Sequence, residues 1–291
     1  MTIIWELDFF SRPILDENQK KIWELLICNS PDQPSQPFRW VKECNAQEVN
    51  SGWLATELNL AIAHNSSLGN SDPQKVRFYR PSMTNIITRG CKQAELVPQI
   101  SRRLFTLSSW LDKRMQTIYP QREGFTAPDF QPLPLKIGSQ VPIAKPAPDA
   151  LMGESWLVAS LTVADFASAS EWSMDFGELF DVGISELDSL ISGLIIISSR
   201  ALPLAAWMSG VDPVFLKCEG SDLKRQLILE AGEEARWILT TLDTTNPKDR
   251  KAIAQAESFE QGKIQSEGIH FIAIQTSLEV EHFAGFWLLK E

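Results

Sequence analysis

The distribution of proline is the feature that most constrains how this chain can fold. Seven of its 17 prolines lie in one segment, 120–148. Proline fixes φ, lacks a backbone N–H donor and biases the preceding residue toward extended conformations, so neither a helix nor a central strand can continue there. We expect a linker or ordered arm at 120–150 between two domains, at 1–119 and 151–291. A chain of 291 residues is long enough for two domains of ordinary size.

Both predicted domains alternate strand-like and helix-like patterns. Before the linker, we expect strands at 3–10 and 38–43, helices at 16–28 and 52–63, a pair of strands at 75–80 and 83–89, and a long helix at 94–118. After it, we expect strands at 156–166, 190–198, 269–277 and 283–289, a hairpin of 226–231 with 235–242, and a helix from Asn246-Pro247 to near Gly262. These patterns predict a mixed α/β (α+β) fold in which each domain is a mixed sheet with packed helices.

The net charge of −10 conceals a difference between the two halves of the chain. Residues 1–120 carry 14 Lys+Arg against 12 Asp+Glu, a net +2, whereas residues 121–291 carry 13 against 25, a net −12. Within the first half, residues 75–114 hold nine basic residues and two acidic ones. Such asymmetry is typical of a protein with a surface for an anionic partner. The acidic C-terminal domain could in turn dock a basic protein.

The predicted helix at 94–118 would turn its cations and its tryptophan away from the core. At about 100° per residue, one apolar stripe is formed by Val97, Ile100, Leu104, Leu107, Leu111, Met115 and Ile118. Arg102 and Lys113 fall opposite that stripe. Arg103 and Arg114 lie about a quarter-turn from them, with Trp110 between the two pairs.

An aromatic ring among cations is the composition expected of a surface for single-stranded nucleic acid. Cations neutralise phosphates, and the ring offers a stacking plane for a base. The preceding strand pair adds four more cations to the candidate RNA-binding residues: Arg77, Arg80, Arg89 and Lys92. In the alternative interpretation, Trp110 packs beneath the Pro-rich arm and the cations form a solvated face.

The sequence contains none of the common catalytic or cofactor motifs. Gly-rich phosphate loops, a Gly-x-Ser-x-Gly elbow and a His-Glu-x-x-His pair are all absent, so we predict a protein that is not an enzyme and has no cofactor. A nuclease would need converging carboxylates, and the nearest arrangement is Lys42-Glu43 with Asp8. That minor alternative predicts magnesium-dependent RNA cleavage.

The cysteines and histidines do not predict a metal site. Their spacings match no zinc or redox pattern, and we expect reduced, buried thiols at Cys28, Cys44, Cys91 and Cys218. No apolar run reaches the roughly 18–20 residues that span a bilayer, which predicts no membrane insertion. The N-terminus lacks the pattern of a targeting peptide, so we expect a cytoplasmic location.

Several sequence blocks resemble one known family. They are Trp5-Glu6-Leu7-Asp8-Phe9-Phe10-Ser11-Arg12-Pro13, Lys20-Lys21-Ile22-Trp23-Glu24-Leu25-Leu26-Ile27, Phe78-Tyr79-Arg80-Pro81-Ser82-Met83, Arg89-Gly90-Cys91, Pro132-Leu133-Pro134, Gly193-Leu194-Ile195, Ser199-Arg200-Ala201, 227–231 and Gly285-Phe286-Trp287-Leu288-Leu289. Together they are similar to the Tab-two/Atab-two family of photosynthetic RNA-binding translation factors. The resemblance implies RNA binding, and in plastid members it implies translation of the messenger for a photosystem I reaction-centre subunit. Because the signature begins at Trp5, the chain looks like a cyanobacterial member.

The resemblance also associates the C-terminal Trp287, Leu288 and Leu289 with RNA recognition. Leucine carries no charge and no hydrogen-bonding group in its side chain, so we expect Leu288 and Leu289 to seat a final strand, whereas Trp287 could stack on a base.

The leading hypothesis is a non-catalytic RNA-binding protein that promotes translation or assembly of photosystem components. Its expected partner is single-stranded, A/U-rich mRNA. The alternative is an assembly scaffold that docks a basic protein partner through its acidic C-terminal half. The oligomeric state stays open, and a homodimer is possible.

Overall fold

The fold class is a mixed α/β architecture, as the sequence predicts. A computed structural model describes residues 3–30, 37–126, 141–148, 153–221 and 223–291. The chain divides into two compact units, an N-terminal unit (Met1–Ser139) and a C-terminal unit (Gln140–Glu291). Residues 127–140 of the Pro-rich segment, including the Pro132-Leu133-Pro134 block, lie outside the described residues.

The N-terminal unit is built on one five-stranded sheet. Its strands are β1 (Ile4–Leu15), β2 (Lys21–Ser30), β3 (Arg39–Cys44), β4 (Lys75–Phe78) and β5 (Val97–Ile100). The spatial order is β3-β2-β1-β4-β5. β2 is antiparallel to both β1 and β3, whereas β4 is parallel to β1 and β5 is parallel to β4. The strands expected at 3–10 and 38–43 are therefore confirmed.

Three helices cover the two faces of this sheet: α1 (Ser51–Ser67), α2 (Thr84–Gln93) and α3 (Phe105–Thr117). Trp5, Leu7 and Phe9 pack with α1 and α2 in one buried cluster. Leu26 and Cys28 pack with α3 in another. Successive side chains of a strand point to opposite faces. Glu6 and Asp8, which alternate with the apolar residues of β1, and Glu24, two residues before Leu26 on β2, therefore belong to the face under α3.

The helix expected at 16–28 is wrong, because that segment is a turn followed by β2. The apolar spacing of Ile22, Leu25 and Leu26 suits a helix, but the strand buries both of its faces. Leu25 and Ile27 enter the cluster under α1, and Leu26 enters the cluster under α3. A strand buried on both sides has no polar alternation, so its apolar residues also fit a helical spacing.

The strand expected at 83–89 is wrong as well, because α2 occupies that position. Pro81 is the first residue of a short 3-10 turn that leads into α2, and proline favours the first turn of a helix. Gly90 then allows α2 to approach α1, since a Cβ at Gly90 would lie 2.8 Å from Leu54.

The helix expected at 94–118 is interrupted. Glu95 adopts φ +58° just after α2, and β5 then pairs in parallel with β4. Only at Phe105 does α3 begin, and it ends at Thr117. Pro98, which has no N–H to donate, suits the edge strand β5 and is incompatible with a helix interior. Arg102 and Arg103 consequently precede α3 and do not share its exposed face.

The described part of the C-terminal unit contains two sheets. Its strands are β6 (Lys145–Pro146), β7 (Ser155–Thr162), β8 (Ser173–Glu178), β9 (Leu190–Ile197), β10 (Pro213–Gly220), β11 (Lys224–Ala231), β12 (Ala235–Asp243), β13 (Ile269–Gln275) and β14 (His282–Lys290). One sheet has the order β7-β9-β13-β14-β8 and the other β10-β11-β12-β6. The β11–β12 hairpin and the strands expected at 190–198, 269–277 and 283–289 are confirmed.

Among its described residues, the C-terminal unit also has the helices α4 (Val163–Ala167), α5 (Ala201–Val211) and α6 (Arg250–Gln265). The strand expected at 156–166 ends at Thr162, whose side chain caps α4 in a capping box with Asp165. Asn246 forms a turn, its side chain accepting from the Lys248 N–H at 3.1 Å, so α6 starts after the predicted position. Its end near Gly262 agrees with the expectation to within a turn.

Candidate nucleic-acid interface

Much of the positive charge in segment 75–114 lies inside the N-terminal unit. Arg80 donates two hydrogen bonds to Asp8, from Nε to Oδ1 and from Nη2 to Oδ2, both at 3.0 Å. Arg12 Nη1 donates to the same carboxylate at 2.9 Å. Burial alone would raise the pKa of Asp8, but Arg12 and Arg80 hold it below its ordinary value. The Asp8 carboxylate is therefore an internal counter-ion.

Glu24 on β2 extends this buried network toward α3. Arg12 Nε donates to Glu24 Oε2 at 2.8 Å. Arg114 and the Tyr119 hydroxyl also donate to the Glu24 carboxylate, and Arg114 Nε donates to Tyr119 Oη at 3.1 Å. The side chain of Arg114 is only 12% exposed. Hydrogen bonds to the buried Glu24 carboxylate and the Tyr119 hydroxyl therefore fix the Arg114 side chain, and only a small part of it is exposed.

Three further predicted RNA-binding arginines lie in the interior. Arg77 is 5% exposed, Arg102 is fully buried, and Arg103 is 1% exposed with its guanidinium over the Phe105 ring. Near them, the buried Glu6 carboxylate accepts from the Leu107 N–H at 2.7 Å, at the N-terminus of α3. In this structure neither Arg80 nor these three arginines present a guanidinium to a phosphate in solution.

The accessible cations and the aromatic ring meet between α3 and the edge strand β3. The guanidinium carbon of Arg39 lies 5.0 Å from the Trp110 ring centroid, and that of Arg114 lies 5.7 Å from it. Lys113 is exposed, and Trp110 and Arg39 are half-buried. Arg122 completes this group, which we call the β3–α3 surface: Arg39, Trp110, Lys113, Arg114 and Arg122.

Alternation along β3 sets which of its side chains belong to the β3–α3 surface. Arg39 contacts Trp110, Val41 is 40% exposed, and Glu43 is paired with Arg122, one bond being 3.0 Å. Arg122 neutralises the one carboxylate that β3 contributes to this face. The predicted RNA-binding residues do not include Arg39 and Arg122, because both lie outside the predicted helix. The strand predicted at 38–43 is the sequence signal that could have identified Arg39.

The other accessible predicted cations are on the opposite side of the sheet. Arg89 and Lys92 are exposed on α2, which packs with α1 against the face of the sheet away from α3. The structure thus separates the predicted residues of the N-terminal unit into three groups. Four arginines are buried, Trp110, Lys113 and Arg114 belong to the β3–α3 surface, and Arg89 and Lys92 lie on α2.

The C-terminal Trp287, Leu288 and Leu289 are core residues of β14. Trp287 is 3% exposed, and both leucines are fully buried. A Cβ at Gly285 would come within 2.5 Å of the indole, so the glycine leaves the room that the tryptophan occupies. Phe286 stacks on Phe271 at 5.1 Å on the other face of the sheet. The Gly-Phe-Trp-Leu-Leu block is accounted for by packing.

The described residues contain no group of three or more His, Cys, Asp or Glu side chains placed to hold a metal ion. Cys28, Cys44 and Cys91 are buried thiols, and Cys218 is partly exposed; burial raises the pKa of Cys44 and of Cys91 to about 12. Within the same part of the chain, no helix is both long and apolar enough to cross a membrane.

Comparison with known proteins places both halves of the chain in one family. Residues 4–114 match the model described as "RNA-binding protein Tab2/Atab2 N terminal", and residues 134–290 match "RNA-binding protein Tab2/Atab2, C-terminal domain". The chain is 36% identical to "Protein TAB2 homolog, chloroplastic" of Arabidopsis thaliana over 98% of this chain and 74% of that protein. It is 33% identical to the Zea mays protein of the same name, over 99% of this chain and 71% of that protein. These matches support an RNA-binding role, and the chain belongs to the Tab2/Atab2 family of RNA-binding proteins.

Proposed function

We propose that this protein binds single-stranded RNA through the β3–α3 surface and has no catalytic activity. The observation that carries the proposal is the placement of two arginines over one partly accessible ring, with Arg39 and Arg114 5.0 and 5.7 Å from the centroid of Trp110. Stacking on an aromatic face together with charge neutralisation is how proteins hold unpaired bases and their phosphates.

Each member of the surface has a distinct role in this proposal. Lys113 and Arg39 contribute positive charge for the phosphate backbone, and the Trp110 indole contributes a plane for a base. Arg114 is a positioning residue, because Glu24 and Tyr119 fix its guanidinium beneath the surface. Arg122 keeps the Glu43 carboxylate from repelling an approaching phosphate.

The biological role that we propose follows from the family. The protein would act on A/U-rich mRNA and promote translation or assembly of photosystem components, in the cytoplasm of a cyanobacterium. A/U-rich segments pair weakly and so present unpaired bases, which suits a surface that stacks bases without reading a duplex groove. Both relatives described above are chloroplastic proteins by name, in keeping with a photosynthetic setting.

The test is a binding titration with a matched pair of double variants. A fluorescein-labelled single-stranded A/U-rich RNA is titrated with the wild type, with Arg39→Ala/Lys113→Ala, and with Arg89→Ala/Lys92→Ala, following anisotropy. Each variant removes two positive charges. The first variant removes them from the β3–α3 surface, and the second removes them from α2. We expect the first to weaken binding at least tenfold and the second to change it less than twofold.

Salt dependence and competitors complete the test. For single strands, the logarithm of the binding constant falls with the logarithm of the salt concentration with a slope of about 0.7 per phosphate contact. Because Arg39→Ala/Lys113→Ala removes two cations, its slope should be shallower than that of the wild type by about 1.4. A G/C-rich single strand and a duplex should compete less well than unlabelled A/U-rich RNA. Equal losses in the two variants would move the site away from the β3–α3 surface, and cleavage of the probe in magnesium would overturn the non-catalytic part.

A further inference from the structure

The C-terminal unit contains an unusually long stretch without positive charge. No lysine or arginine occurs between Lys145 and Arg200. The same stretch holds nine acidic residues: Asp149, Glu154, Asp165, Glu171, Asp175, Glu178, Asp181, Glu186 and Asp188. Part of this run lies on the strand β8, and irregular chain follows it. Repulsion from the carboxylates makes this region a poor surface for RNA.

β8 is an edge strand. Within the described part of the chain it pairs only with β14, in parallel, so its outer edge hydrogen-bonds to no other strand. Its side chains alternate between exposed and half-buried. The strand contains no proline and no lysine, which are common protections of a sheet edge against further pairing. Such an edge can accept an added strand.

Acidic side chains surround one end of this edge. Glu171 and Asp175 are exposed on or next to β8. Ser173 pairs with His282 in the register, which brings Glu281, also exposed, next to the start of β8. The His282 imidazole already binds this pair of strands together, with Nε2 2.9 Å from Asp175 Oδ2 and Nδ1 2.8 Å from Ser173 Oγ.

We propose that the outer edge of β8 binds an extended, basic segment of a partner protein by strand addition. Backbone hydrogen bonds to β8 would supply affinity, and the carboxylates of Glu171, Asp175 and Glu281 would select lysine and arginine side chains on the added strand. A second copy of this chain is disfavoured, because pairing two β8 strands brings acidic side chains together across the interface, and like charges on neighbouring strands are destabilising. This surface is separate from the β3–α3 surface and does not depend on RNA binding.

The probe is a peptide of alternating lysine and valine, labelled with a fluorophore and titrated with the full chain. Two N-methylated forms of the peptide carry methyl groups on alternate residues, so that each form blocks the N–H groups of one edge. Strand addition predicts that one form loses at least tenfold in affinity while the other binds like the parent. Hydrogen-exchange mass spectrometry should show amides of 173–178 protected by the parent peptide.

Charge variants test the selectivity of the edge. Glu171→Gln/Glu281→Gln should weaken the lysine peptide at least fivefold. The matched control is Glu233→Gln/Glu234→Gln, which removes two exposed carboxylates at the β11–β12 turn and should change binding less than twofold. A glutamate–valine peptide should not bind. The proposal is overturned if the parent peptide fails to bind, if both methylated forms bind equally, or if protection appears elsewhere.

Discussion

Arg39 on β3 and Trp110 on α3 are in contact although they are far apart in the sequence, with the guanidinium carbon 5.0 Å from the ring centroid. Neither residue alone indicates a binding surface. The edge strand and the helix bring them together above β2, beside Arg114, which the buried Glu24 holds in place.

Replacing Arg39 with lysine should impair RNA binding nearly as much as replacing it with alanine. Lysine keeps the charge but loses the planar group that stacks on an indole. We expect Arg39→Lys to bind RNA at least threefold more weakly while retaining the wild-type salt slope, whereas Arg39→Ala also reduces the slope. Anisotropy titrations at several salt concentrations separate the two effects. Wild-type affinity in Arg39→Lys would show that charge alone matters at this position.

Changing Trp110 to leucine should remove base stacking while keeping an apolar side chain against the core under α3. The expected loss is about 1–3 kcal/mol in RNA binding, the range for one stacked base. The loss should be independent of salt because no charge is removed. A urea titration of the same variant provides the control, since its midpoint should stay close to that of the wild type.

The buried pair of Arg80 and Asp8 should matter for folding and not for RNA contact. Among the described residues, Arg80→Ala leaves the Asp8 carboxylate with Arg12 as its remaining ion-pair partner, and breaking a buried ion pair costs about 3–5 kcal/mol. Urea unfolding measures this loss. Arg89→Ala, on the exposed face of α2, is the matched control and should change stability by less than about 0.5 kcal/mol. An unchanged midpoint in Arg80→Ala would contradict the structural role.

Trp287→Ala should destabilise the C-terminal unit by about 3–5 kcal/mol, the usual cost of emptying a large aromatic site. Its effect on RNA should be indirect. At temperatures where the variant is folded, RNA affinity should match the wild type, because the indole is 3% exposed. A folded Trp287→Ala protein that has lost RNA binding would instead support direct recognition by this residue.

Acidification should destabilise the C-terminal unit through His270. Its Nε2 accepts from the Leu216 N–H at 2.8 Å and its Nδ1 donates to the Gly268 carbonyl at 2.8 Å, so the folded state requires the neutral ring. Burial, aided by Lys263, lowers the pKa of His270 from 6.5 to about 3. The unfolded chain therefore binds the extra proton between pH 6.5 and 3, and stability falls as the pH falls through that window.

The size of this effect can be checked at pH 5, above the ordinary pKa of Asp and Glu. The expected loss relative to pH 7.5 is about 2 kcal/mol, since each pH unit within the window is worth about 1.4 kcal/mol. Urea unfolding at the two pH values measures it. His270→Asn removes the titration and should abolish most of the pH dependence; an unchanged pH dependence in this variant would contradict the role of His270.

Elements whose sequence pattern is local can be predicted without the structure. The turn at Gly232 between two apolar runs, the alternation at 38–43 and the apolar run Leu190–Ile197 each specify one structure, and the mixed α/β class follows from them. The sequence pattern predicts the wrong element at Lys21–Ser30, because a strand buried on both faces shows no polar alternation. It also predicts the wrong element at 83–89, where packing of Gly90 against Leu54 favours a helix.

Which charges lie on the surface depends on how the elements pack in three dimensions. Segment 75–114 has a basic composition. In the folded protein, however, the buried carboxylates of Asp8 on β1 and Glu24 on β2 neutralise Arg80 and Arg114. A charge is buried only where a counter-ion meets it, and that meeting depends on strand order and not on distance along the chain. The pairing of β3 with β2 likewise put Arg39 beside Trp110, a contact that no local pattern encodes.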